Sequence, residues 1–236
     1  MTSPASGSPL LITFSGVDGS GKSTQVDSLR EALHAAGLNT RLLTFWDDAV
    51  VGMKYREAFV HRVYKSERGI GAPGRPVNRR DKNMRGWHLT FARHLLYLLD
   101  AVNLRRLVAR ERKRKAIDVT IFDRYIYDEL ANLDLHNRFS RAFLKFVRWI
   151  VPRPDLAYLL DADPAAAYAR KPEYPVDFMA RSRQAYFDLA IVLGHMTVIP
   201  AASLPQARFA VLKAAQRQLA ARGKSSNLVS GSLSAA

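Results

Sequence analysis

Cysteine is absent from all 236 residues, which excludes disulfides and thiolate metal sites and agrees with a reducing compartment. No run of eighteen or more apolar residues occurs, so no membrane-crossing helix is expected. The first ten residues lack the basic start and long apolar region of a secretory signal. The expectation is a soluble, cytoplasmic protein without a membrane partner. Acidic residues are also few, 21 Asp and Glu against 36 Lys and Arg, for a net charge of +15 and a pI near 10.4. That imbalance points to an anionic partner: nucleotide, nucleic acid or an acidic surface. No internal repeat is present.

What the chain does have is 48% hydrophobic residues, ample for one core at this length. Its organising stretch is Leu10 to Phe14, an apolar run that feeds Gly16-Val17-Asp18-Gly19-Ser20-Gly21-Lys22-Ser23-Thr24. G-x-x-x-x-G-K-S between a strand and an amphipathic helix is a phosphate loop. The glycines let the backbone curl with its N–H groups inward, where they and the positive end of the helix receive a phosphate chain. Gly16, Asp18, Gly19, Ser20, Gly21, Lys22, Ser23 and Thr24 are therefore the candidate nucleotide-binding residues. Lys22 supplies a point charge for the β- and γ-phosphates, and the Ser23 hydroxyl suits Mg²⁺, a hard cation that takes oxygen ligands.

Around this stretch the sequence divides into a polar leader over 1–9, a phosphate-loop domain over 10–222 and a polar tail over 223–236, both ends read as disordered. The first helix carries Val26, Leu29, Leu33 and Ala36 at helical spacing and stops at Gly37; a second strand follows over 41–45. Residues 49–64 have helical character, and 67–85 form a basic loop with several glycines and prolines. Its functional reading is a flap over a phosphate-bearing ligand, and the plainer one a solvated excursion. A long helix is expected over 87–115, its apolar face marked by Leu89, Ala92, Leu95, Leu96, Leu99, Val102, Leu104 and Leu107. Strand 118–122 then delivers Asp123 and Arg124 to its C-terminal end, where parallel sheets bind ligands. Asp123 is placed to reach Mg²⁺, and Arg124 to clamp a phosphate bidentately. Phe143, Phe146, Val147 and Ile150 of a helix over 140–151 read as core packing. Strand 156–160 leads to Asp163-Pro164, a helix start. That helix ends in Arg170 and Lys171 before Pro172 and Pro175, leaving a short lid over about 170–176. A helix over 177–193, a strand over 196–199 and a helix over 204–219 complete the reading.

The phosphate loop, Asp123-Arg124-Tyr125 and Leu159-Leu160-Asp161-Ala162-Asp163-Pro164 with Arg170 and Lys171 resemble, in order and spacing, the thymidylate kinase family of nucleoside monophosphate kinases. The resemblance implies an α/β fold: a five-stranded parallel sheet sandwiched between helices. It also implies transfer of the ATP γ-phosphoryl to a nucleotide 5′-phosphate with Mg²⁺, dTMP as acceptor, and a homodimer. By position Asp18 resembles the family's phosphate-loop acid and Arg124 the arginine that holds the acceptor phosphate. Arg170 resembles the arginine that reaches the transferring group, with Lys171 in reserve. Catalysis would rest on Lys22, Asp123, Arg124 and Arg170, and the metal on Ser23 and Asp123. The places of the family's base-reading ring and arginine fall near Leu99 and Asn103, with Phe91 and Arg93 as substitutes if the helix shifts. These departures keep a second acceptor open, such as another nucleotide, a nucleoside or a sugar phosphate. The net charge keeps open an ATP-binding module that holds nucleic acid without turnover.

Overall fold

Every residue of strand β1 (Leu10–Ser15) is buried, as expected of a central parallel strand covered on both faces. The computed structural model describes residues 7–50, 87–224 and 228, without the side chains of 87–92; the expectations for 51–64 and for the basic loop 67–85 lie outside the described residues. The chain runs through α1 (Lys22–Ala35), β2 (Thr40–Thr44), a π-helical turn (Phe45–Ala49) and α2 (Trp87–Glu111). It continues through β3 (Val119–Asp123), α3 (Tyr127–Leu130), α4 (Arg138–Ile150) and β4 (Leu156–Leu160). α5 (Pro164–Arg170), α6 (Val176–Leu193), β5 (Met196–Ile199) and α7 (Leu204–Ala221) complete it.

The five strands form one parallel sheet in the order β2-β3-β1-β4-β5, the expected architecture. Period-two alternation divides the core between the two faces. Leu10, Ile12, Phe14, Val119, Ile121, Leu156 and Tyr158 pack with Val26, Leu29 and Leu33 of α1 and Val211 and Leu212 of α7. Leu11, Phe122, Ala157 and Leu159 point the other way, to Leu104 and Val108 of α2 and Leu144 and Val147 of α4. β1 connects toward β2 and β4 toward β5, so a crevice opens where their C-terminal ends diverge.

Local chemistry sets the element ends. Gly37 adopts φ +76° and donates to the His34 carbonyl at 2.9 Å, while Leu38 N–H reaches back to Leu33 at 3.0 Å; this left-handed closure satisfies the last carbonyls of α1. The Asp163 side chain accepts from Ala166 N–H at 2.9 Å, with Pro164 at the first helical position.

The long helix differs from its expected form in two ways. It stops at Glu111 rather than Lys115: Lys113 N–H reaches the Arg110 carbonyl at 3.2 Å and Arg114 N–H the Glu111 carbonyl at 3.0 Å, i→i−3 bonds that close the last turn, and buried Glu111 pairs with Arg41 at 2.9 Å and Arg114 at 3.0 Å. Its buried stripe is Tyr97, Ala101, Leu104, Leu107 and Val108, whereas Leu95, Leu96 and Leu99 are exposed. On α4, Phe146 is likewise exposed rather than core. Two residues beyond 222 make specific contacts: Lys224 pairs with Asp118 and Leu228 is buried against the α1 side of the sheet. Among the described residues no helix is long and apolar enough to cross a membrane.

Candidate active site

The backbone turns as soon as β1 ends. Ser20 N–H donates to the Val17 carbonyl at 3.2 Å, and Gly21 begins α1 in the left-handed region at φ +86°. No side chain caps this helix and no acid lies in its first turn, so its N-terminal N–H groups and positive dipole suit an external anion. Gly19, also left-handed at φ +77°, lies against α5 so closely that a Cβ would come within 2.5 Å of the Ala167 carbonyl oxygen. The loop is thereby braced by the helix that leads into the 171–175 turn.

Lys22 is buried and donates to the carbonyls of Gly16 at 2.9 Å and Val17 at 2.8 Å. Burial, reinforced by the Arg124 charge, pushes its ammonium down to about 8, against the pull of Asp18, Asp128 and Asp123. Ser23 and Thr24 are exposed at the start of α1.

β3 runs alongside β1 with Asp123 paired to Phe14, which brings the Asp123 carboxylate beside the phosphate loop. Its Oδ1 is buried and meets no donor, a costly state unless a cation serves it. Arg124 follows with φ +68°, the only left-handed non-glycine among the described residues. Its N–H bonds the Phe14 carbonyl at 3.0 Å, so the strand is still anchored where it bends. The bend carries the guanidinium to two carboxylates: Nη2 to Asp18 and Nη1 to Asp128 Oδ1 at 2.9 Å. Burial alone would raise the Asp18 carboxyl, but Arg124, Lys22 and Lys171 together hold it below the ordinary carboxylate value. Burial would lower the Arg124 guanidinium, but Asp128 and Asp18 outweigh it and raise it.

Arg170 ends α5 and is exposed. Lys171 pairs with Glu173 at 3.1 Å, and its charge is felt by Asp18. α6 is pinned to the end of β4 by Arg183, which grips Asp161 through Nε at 2.5 Å and Nη2 at 2.7 Å.

The donor set suits Mg²⁺ with a polyphosphate. Among the described residues no cluster of three or more His, Cys, Asp or Glu could hold a metal alone. One carboxylate with an unserved oxygen and one exposed hydroxyl suit a hard cation that takes its remaining ligands from phosphate and water.

No family model matches the sequence. The chain is similar to the thymidylate kinase of Bifidobacterium longum subsp. infantis, 30% identical over 196 residues that cover 78% of this chain and 75% of that one. The chain belongs to the thymidylate kinase family. Its match to thymidylate kinase from Bifidobacterium longum strain DJO10A is 29% identical over 227 residues, covering 90% of this chain and all of the other. In structure it is similar to the thymidylate kinase of Ehrlichia chaffeensis, with a TM-score of 0.55 and 16% identity over 89% of this chain and 99% of that chain. That likeness is one of fold.

The structure places the two expected base-reading positions differently. Leu99 is exposed, and Asn103 donates its amide to the Ala49 carbonyl at 2.8 Å, fixing the π-helical turn after β2. Phe91 lies outside the described side chains, and the charge of Arg93 is felt by buried Tyr97. Sequence reasoning also missed Asp128 and Tyr186, which meet at 2.6 Å. Asp128 lies one helical turn after Arg124 in the sequence, a spacing that signals a pair; Tyr186 comes from a helix 58 residues further on and carries no sequence signal.

Proposed function

We propose that this protein is a Mg²⁺- and ATP-dependent kinase that phosphorylates dTMP on its 5′-phosphate to give dTDP. The observation that carries this reading is Arg124, a guanidinium delivered by a left-handed bend to the carboxylate of the phosphate loop. A cation at that point favours an acceptor that already bears phosphate. Family membership supports thymidylate as that acceptor.

In this reading the N–H groups of Gly19 to Thr24 and the Lys22 ammonium receive the ATP phosphates. Ser23 and Asp123 hold Mg²⁺, which neutralises phosphate charge when bound. Lys22 then exchanges the carbonyls of Gly16 and Val17 for phosphate oxygens. Arg124 exchanges Asp18 for the acceptor phosphate, and Asp18 turns to the acceptor. Arg170, or Lys171 beside it, offsets charge on the transferring group, since positioning and neutralisation dominate this chemistry. Closure of 171–175 would keep water from accepting the phosphoryl group. We also propose that the enzyme is a cytoplasmic homodimer; exposed Leu95, Leu96 and Leu99 on α2 supply apolar surface for pairing, and sedimentation at micromolar concentration tests it.

The decisive experiment follows ADP release from Mg-ATP across nucleoside monophosphates, nucleosides and sugar phosphates, with Lys22→Ala as the control for contaminating kinases. The expected result is turnover with dTMP well above the other acceptors and its loss in Lys22→Ala. Turnover with a different acceptor would replace the substrate, and no turnover with any would overturn the kinase reading.

A further inference from the structure

Asp128 is a carboxylate served by four donors, and the proposed reaction does not use it directly. Its side chain is buried. Oδ1 accepts from Arg124 Nη1 at 2.9 Å and from the Tyr186 hydroxyl at 2.6 Å. Oδ2 accepts from the Ser15 hydroxyl at 2.8 Å and, at 3.4 Å, from Tyr125 N–H. The donors come from the end of β1, the bend after β3 and the middle of α6. One buried anion thus ties together the end of β1, the bend after β3 and α6.

We infer that Asp128 is the positioning residue for Arg124, and that through Tyr186 it couples the orientation of that arginine to the helix carrying the lid; the inference rests on Arg124 holding the acceptor phosphate. The guanidinium has two arms in use. Nη1 stays on Asp128 while Nη2, on Asp18, is the arm that an acceptor phosphate can take over. A charged, hydrogen-bonded anchor on one arm keeps the other aimed without spending rotamer freedom at each binding event. Tyr186 donates to the same oxygen as Arg124 and sits on α6, which starts one residue after Pro175. Displacing α6 therefore strips Oδ1 of one donor and changes its hold on the arginine. Asp128 touches neither phosphate nor metal in this arrangement and acts only through Arg124.

The test compares wild type, Asp128→Asn, Tyr186→Phe and the double variant in steady-state assays with Mg-ATP and dTMP. An asparagine keeps the volume but loses the charge that holds Nη1. In Asp128→Asn the acceptor KM should rise about 10-fold or more while the ATP KM stays within about twofold, because only acceptor binding depends on the aimed arm. Tyr186→Phe keeps the ring and its packing, so it folds even if Asp128→Asn does not, and it should raise the acceptor KM by about threefold. In the double variant the tyrosine effect should vanish, since the neutral amide no longer carries the charge that holds the arginine through which Tyr186 acts. Equal rises in both KM values, no change in either, or additive effects would overturn the inference. Modification of Arg124 by phenylglyoxal, read by peptide mass spectrometry without nucleotide, gives an answer independent of turnover. Asp128→Asn should speed it several-fold relative to wild type, and an unchanged rate overturns the positioning role. Wild type that modifies as expected yet phosphorylates no acceptor would instead overturn the proposed reaction.

Discussion

Gly19 and Gly37 share nearly the same backbone conformation, φ +77° and +76°, but differ in surroundings. Alanine at either position must hold a left-handed conformation, at a cost of about 1–2 kcal/mol. At Gly37 nothing lies within 4 Å of the added Cβ, so that conformational cost is the whole effect. At Gly19 the Cβ would stand 2.5 Å from the Ala167 carbonyl oxygen and 3.2 Å from its carbon. Both atoms are backbone and cannot swing aside, so the loop or α5 must retreat. Overpacking of this kind adds about 1–3 kcal/mol, which makes Gly19→Ala the more damaging by that amount. In a chain of this size each kcal/mol lowers Tm by about 2–4 °C. Urea denaturation with a common slope, beside thermal melts, measures the difference. Steady-state kinetics should show Gly37→Ala with wild-type KM values and Gly19→Ala with a raised ATP KM, because the retreat deforms the phosphate cradle. Equal stability loss in the two variants, or an unchanged ATP KM in Gly19→Ala, would refute the bracing of the loop by α5.

Lys22 loses its proton near pH 8 in the folded protein, against 10.5 as a free side chain, so kcat/KM for ATP should fall above about pH 8, and Lys22→Arg should remove that limb of the profile. The unfolded chain binds the extra proton between these values, so the linkage has stability rising with pH across this window; a urea series from pH 7.5 to 10 checks the sign. Arg170→Ala should lower kcat by about 10²–10³-fold with modest KM changes, as loss of a charge met in the transition state does. Lys171→Ala, which removes a charge felt by Asp18, should act mainly on the acceptor KM; separate kinetic constants for each variant distinguish the two roles. Asn103→Leu leaves the Ala49 carbonyl without its side-chain donor and should destabilise by about 1–3 kcal/mol, read by denaturation.

The phosphate loop, the end of β3 and the Asp163-Pro164 helix start were legible because each is a local event. A glycine needed at positive φ, an apolar run that must be a strand, and a capping carboxylate followed by proline all act within a few residues. The apolar runs marked the individual strands for the same reason, and strand β4 begins and ends where expected; their assembly into one five-stranded parallel sheet was what the family resemblance implied. The long helix shows where such reading weakens. Leu95, Leu96 and Leu99 satisfy helical periodicity as well as Tyr97, Ala101 and Leu104 do, and only the direction from which the sheet and α4 approach decides which stripe is buried.

By itself the sequence determined which groups are the candidates for phosphate binding: Lys22 and Ser23 behind glycines at fixed spacing, and a carboxylate and a guanidinium adjacent at a strand end. The tertiary structure decided what those groups are aimed at. Arg124 lies 106 residues from Asp18 along the chain, Asp128 is 113 from Ser15, and Tyr186 is 58 from Asp128. Contacts across such separations come from strand order and helix packing, which no local pattern encodes. That is why the candidate phosphate-binding groups were visible in the sequence, and the buried carboxylate bonded to Arg124 became visible only in the fold.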